Sequence, residues 1–241
     1  MECCRIQALG IMSKHIGIVG CSSEGAALCY RTICLEAEPV MGVHAHPEIT
    51  MHTISLAEYM NFLNGQEDWQ GVAELILRSA DRLKRAGADF LICPDNTIHA
   101  AMKYVLPNSP LPWLHIAEEV GREAQRRRFL TLGITGTKFL VDSSVYPQQL
   151  EKLGIGWVRP SEQQKQEINR IIFDELVRGE QNLASLFYMQ QTIEQMKHRG
   201  CDAVVLGCTE IPLLVSDEDS PLPTLDSTRL LARAALRHAV A

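Results

Sequence analysis

AGADFLICPDNT (residues 86–97) and RGCDAVVLGCTE (residues 199–210) decide the reading of this chain. Each begins with a glycine followed two places on by an aspartate, Gly87 with Asp89 and Gly200 with Asp202. Each continues as a short apolar run of the kind that forms a buried strand. Each then turns polar where a strand gives way to a loop or helix. In register, at an offset of 113, Asp95 falls on Cys208. HIGIVGCS (15–22) matches TLGITGTK (131–138) at 116, pairing Gly17 with Gly133 and Gly20 with Gly136. LPWLHIA (111–117) matches LPTLDST (222–228) at 111. Three landmarks in one order at a nearly constant offset predict two copies of one α/β unit.

The spacing between these runs fits strands alternating with helices. Strands are expected at 15–20, 48–56, 88–93, 111–117, 129–136, 201–207 and 222–226. Helices are expected at 21–37, 69–86, 118–128, 161–178, 181–199 and 227–240. The 69–86 segment is the most regular, with apolar residues at helical spacing and Gly87 as its C′ glycine. Strands joined by helices of this length imply right-handed βαβ units and parallel sheets. The expected fold class is therefore α/β: two pseudo-symmetric lobes, each a parallel sheet flanked by helices, with an active site in the cleft between them. Residues 14–113 with 226–241 are assigned to an N-terminal lobe and 114–225 to a C-terminal lobe. Residues 1–13 are expected to be a tail, with Met12 a candidate start.

Composition sets the outer limits. The 241 residues are 46% hydrophobic and 22% charged, enough to bury a core. A net charge of −6 argues against nucleic acid or an anionic membrane surface as the main partner. No apolar run reaches the length of a membrane span, and no signal-peptide pattern precedes residue 15. Eight cysteines form no CxxC and no zinc-ligand spacing with histidine, so no metal is expected. Free thiols fit a reducing cytoplasm, and most of these cysteines read as small buried hydrophobes. GCSSEG (20–25) is neither a dinucleotide fingerprint nor a P-loop.

In open α/β sheets, ligands bind at the carboxyl ends of the strands. If the two copies face one another, Asp95 and Cys208 flank one ligand. Proton-transfer groups on opposite faces of a carbon beside a carboxylate suit inversion of that centre without a cofactor. Ser22, Ser23, Asn96, Thr97, Thr135, Thr137 and Thr209 lie at predicted strand-to-helix turns, where hydroxyls and N–H groups hold carboxylates or simply cap helices. His99, one turn past Asp95, is read as a tuning partner of Asp95 or as a satisfied buried histidine. Glu210 reads as a cap of its own helix.

LGCTEIPLLV (206–215) is very similar to the second catalytic motif of the cofactor-independent aspartate/glutamate racemase superfamily, and NTIH (96–99) resembles the tail of its first. IGIVG, LPWLHIAEE, GITGTKF, INRIIFDEL and LPTLDSTRLLA fall at matching places, so the resemblance covers nearly the whole chain from about residue 15. It implies two pseudo-symmetric α/β lobes, a homodimer, no cofactor, and an amino acid or other small carboxylic acid as substrate. Cys208 matches the second catalytic cysteine. Thr209, Asn96 and Thr97 match positions that hold the α-carboxylate, and Lys165 lies near a lysine usual at the start of the long helix. The first catalytic cysteine is absent at its matching position: Asp95 stands there in the register of the two halves, Pro94 does if the motif shifts by one, and Cys93 lies nearby but by strand alternation is expected to point into the sheet packing.

A further departure concerns the substrate's side chain. The family resemblance implies a basic residue in the early loops for a distal carboxylate, yet residues 32–77 contain no Lys or Arg. His44, His46 and His52 are the candidates there, and a neutral or apolar side chain is the alternative. Unperturbed, Asp titrates near 3.9 and Cys near 8.5, so the swapped state needed for the reverse reaction lies roughly 6 kcal/mol uphill. The site must close that gap, or the chain is a single-cysteine decarboxylase or isomerase of the superfamily, or a small-acid-binding module without activity.

Overall fold

A computed structural model describes residues 13–65 and 67–241. The expected tail lies outside these residues except for Ser13. The first half runs β1 (Ile16–Gly20), α1 (Ser23–Glu36), α2 (Glu38–Met41), β2 (Ile49–Thr53), α3 (Leu56–Leu63), α4 (Trp69–Arg85) and β3 (Phe90–Ile92). A 3-10 turn at Thr97–Ala101 then leads into α5 (Met102–Val105). After α6 (Ile116–Arg126) come β4 (Thr131–Thr135), α7 (Lys138–Asp142), α8 (Val145–Lys152), β5 (Gly156–Val158) and α9 (Glu162–Arg170). α10 (Leu183–His198), β6 (Ala203–Leu206), α11 (Ile211–Leu214), β7 (Thr224–Asp226) and α12 (Ser227–Val240) close the chain.

The strands form two parallel sheets, ordered β2-β1-β3 and β5-β4-β6-β7. β1, β3 and β6 are buried along their whole length, as expected for parallel strands covered on both faces. The two halves repeat individual hydrogen bonds at the sequence offsets. His15 N–H donates to the Asp89 carboxylate at 2.7 Å, and Thr131 N–H to that of Asp202 at 3.1 Å. Leu91 N–H reaches Pro112 O as Val204 N–H reaches Pro223 O. Ser109 Oγ and Ser220 Oγ each donate to the carbonyl two residues on. Gly87 and Gly200 sit at φ +96° and +87°, a backbone only glycine adopts without strain.

The crossing helices join the halves. α6 follows the first half but packs Ala117, Val120 and Ala124 against the core of the second sheet. α12 follows β7 and packs Leu231, Ala235 and Leu236 against β1 and β3. The result is an α/β protein with two parallel sheets flanked by helices.

Several expected elements differ. Residues 111–117 form no strand: a single bridge pairs Leu91 with Trp113, and α6 begins at Ile116. Pro110 and Pro112 remove the N–H donors that a longer ladder needs. The expected 48–56 strand ends at Thr53, because residues 56–63 wind into α3. The 161–178 helix is α-helical only to Arg170, then opens into a π turn over Ile171–Glu175 and a 3-10 turn over Leu176–Arg178. β5, α3, α7 and α8 are short elements that the periodicity did not reveal.

Candidate active site

The carboxyl ends of β1, β3, β4 and β6 converge on one cavity. It is a cleft open to solvent, with about 630 Å³ of atom-free space when that open mouth is counted. Its polar end is lined by Cys21, Ser22, Asp95, Asn96, Thr97, Thr137, Cys208, Thr209 and Glu210. Gly207 lets the β6 turn close on the neighbouring strand: a Cβ there would meet Thr135 O at 2.4 Å.

Asp95 opens partly onto the cavity, while protein surrounds its carboxyl. Burial, then the charge of Glu210, raises its pKa to about 6 against the pull of the Ile98 N–H, the Cys21 thiol and the Thr97 N–H. On the other side, Cys208 Sγ donates to Glu210 Oε2 at 2.9 Å, and Thr209 Oγ1 donates to the same oxygen at 2.7 Å. Burial first, and the Glu210 carboxylate second, hold the Cys208 thiol well above its ordinary range. At neutral pH this is a carboxylate facing a thiol.

The expected cap role of Glu210 is corrected. Glu210 precedes α11 in right-handed helical backbone and makes no cap bond, so its carboxylate is free to meet Cys208. Cys21 reads in the sequence as a buried hydrophobe, yet it lines the polar end of the cavity with Asp95, whose charge helps raise its thiol above the ordinary range after burial. Its place directly after IGIVG, at a strand end, was the signal that pointed to it.

The other expected residues divide. Thr97 Oγ1 and Thr137 Oγ1 pair across the cleft at 3.0 Å. Ser22 Oγ caps α1 and also lines the cavity. The Asn96 amide donates to Ser227 Oγ and accepts from Tyr146 Oη, so its side chain is a strut. Ser23 lines only the adjoining mouth. Thr135 is fully buried and donates to Val205 O at 2.7 Å, away from the cavity. Lys165 is drawn off by Asp142 and Glu162, each at 2.7 Å, and does not line the site. His99 donates from Nδ1 to the backbone carbonyl of Asp95 at 2.8 Å, not to its carboxylate, and accepts the Ile116 N–H at 3.4 Å. Burial holds His99 well below its ordinary pKa, so it is neutral and shapes the turn. Cys93 is fully buried under the turn, and burial raises its thiol well above the ordinary range.

Two parallel sheets with facing strand ends, a carboxyl and a thiol about one cavity, and a GCTE turn define a class of carbon-acid isomerase. The chain belongs to the Asp/Glu/Hydantoin racemase family, which it matches over residues 18–235. It is similar to the broad specificity amino-acid racemase RacX of Bacillus subtilis (strain 168), 23% identical over 167 residues, covering 69% of this chain and 72% of that one. A solved structure from Yersinia pestis, described as a proposed Asp/Glu racemase, superposes with a TM-score of 0.87 at 30% identity. That match covers 95% of this chain and 100% of the other. An aspartate racemase homologue from Pyrococcus horikoshii OT3 superposes at 0.82 with 28% identity, again over 95% and 100%.

Proposed function

We propose that this amino acid racemase works by two-sided proton transfer, with Asp95 and Cys208 as the two acid–base groups and no cofactor. The observation that carries the reading is that the equivalent ends of β3 and β6 bring these two side chains to one cavity. Ionised Asp95 takes the α-proton from one face. The electron pair of the broken C–H bond spreads into the substrate carboxylate, and N–H groups and hydroxyls at the surrounding turns stabilise that charge. The pair then re-forms a C–H bond on the other face with the proton of the Cys208 thiol. This leaves protonated Asp95 and a thiolate, and proton exchange with solvent restores the start.

Asp95 stands, in this reading, where the family resemblance implies a first catalytic cysteine. Glu210 orients the Cys208 S–H and, as a neighbouring negative charge, makes the thiolate a strong base. Burial lifts both catalytic groups, so it does not close the gap between them. A racemisation has an equilibrium constant of one, which makes kcat/KM equal from either enantiomer; the mismatch therefore lowers a shared value. The reading includes a homodimer, which sedimentation velocity tests.

Cys208→Ser and Asp95→Asn, assayed by α-proton exchange, test the pair. Loss of inversion in both variants is the expected result. Undiminished inversion in Asp95→Asn would reduce the site to one working thiol, the arrangement of a single-cysteine decarboxylase or isomerase.

A further inference from the structure

The cavity has a second, unlike end. α3 contributes Leu56, Met60 and Leu63, the start of α7 contributes Phe139, and the π and 3-10 turns after α9 contribute Phe173 and Val177. The opened helical winding carries these last two to the wall, and π turns are frequent at functional sites. Among the described residues, no Lys, Arg or His lines the cavity.

The cations beside this wall are used elsewhere. Lys138 stacks on the Phe139 ring at 5.2 Å, outside the lining. Arg170 is held by Glu167 and Glu175. The early-loop histidines do not replace them. His52 is paired with Ser79 and Arg82, His46 with the carbonyl of Pro47, and His44 is exposed. The acidic groups, in contrast, point inward. Asp95 and Glu210 already share the polar end, and the charge of Glu210 is felt at Asp95.

Given the racemase reading above, we infer that the substrate is an amino acid with an uncharged, apolar side chain such as that of leucine, methionine or phenylalanine. Its α-carboxylate and α-ammonium belong at the polar end, where the ammonium offsets Asp95 and Glu210. Its side chain belongs against the Leu–Met–Phe wall, where burial removes apolar surface from water. A distal carboxylate on that wall loses its hydration, finds no cation and faces two like charges. Aspartate and glutamate are thus excluded by the same residues that admit leucine.

Two readouts on the wild-type protein test this and separate it from the racemase reading. Calorimetric titration with L-leucine, L-methionine, L-phenylalanine, L-aspartate and L-glutamate ranks binding. α-Proton exchange in D₂O with the same five ranks turnover. The expected result is binding of at least one apolar amino acid about tenfold or more tighter than either acidic one, a ratio within reach of apolar pocket contacts. Equal or tighter binding of aspartate or glutamate overturns the inference, as does failure of all five to bind. Apolar preference in binding with no exchange on any of the five upholds the substrate class and overturns the racemase reading.

Discussion

The turns after β3 and β6 hold equivalent places in the two halves but are built differently. After β3, Asp95 is a carboxylate among N–H donors and the Cys21 thiol, and its first helical turn is a 3-10 turn. After β6, Cys208 is a thiol against the Glu210 carboxylate, before the four-residue α11. After β6 the thiol and carboxylate are in contact within one turn, whereas Asp95 shares its end of the cavity with Cys21, which comes from the end of β1. Backbone landmarks were kept in both halves while the side chains facing the ligand diverged. The repeat explains where these groups stand, and the proposed division of proton transfer rests on the differences.

Variants that break the comparison are ordered by expected effect. Cys208→Ser removes the proton-donating thiol and is expected to lower inversion about 10³- to 10⁴-fold, read by exchange kinetics. Asp95→Asn is expected to lower it about 10²- to 10⁴-fold. In the wild type, kcat/KM is expected to fall as pH drops below about 6, where Asp95 takes up its proton, and a pH profile checks this.

The same group acts on stability. A carboxyl raised from 3.8 to about 6 binds its proton more tightly when folded. It costs stability above pH 6 and nothing below its unfolded value. Asp95→Asn is therefore expected to stabilise the fold at pH 7.5 by about 1–3 kcal/mol and to lose that advantage near pH 3.5, read by urea unfolding at both pH values.

Glu210→Gln keeps a hydrogen-bond acceptor but removes the charge, and is expected to slow inversion about tenfold and lower the Cys208 pKa, read by thiolate absorbance. Asp89→Ala and Asp202→Ala are expected to cost similar stability, about 1–3 kcal/mol each, because each strips a carboxylate from strand N–H donors. Unequal losses would show that the repeat is one of sequence more than of energetics. Lys165→Met is expected to change stability by less than about 1 kcal/mol, since both its carboxylate partners are solvated. It should leave kcat unchanged.

The sheets were legible in the sequence because buried parallel strands are uninterrupted apolar runs, and because Gly87, Gly200, Asp89 and Asp202 do backbone work that few other residues can do. Asp95 and Cys208 were legible by position alone, as strand-end residues of a repeat. Short α3 and α7 were not, since a helix of two turns shows too little periodicity, yet they supply much of the apolar wall. Lys165 misled because a lysine near a helix start is as easily held by local carboxylates as by a ligand. Glu210 misled because acidic residues commonly cap, and nothing in the letters GCTE reveals a backbone that withholds the cap.

Deuterium wash-in during the first few per cent of turnover tests the central claim most directly. Each of the five L-amino acids is incubated in D₂O with the wild-type protein, and the two enantiomers are separated before the α-position is read. Two facing groups predict deuterium in the inverted product while the recovered substrate keeps its proton. Deuterium accumulating in the recovered L-enantiomer without inversion would mean a single working base and would contradict the Asp95–Cys208 pair.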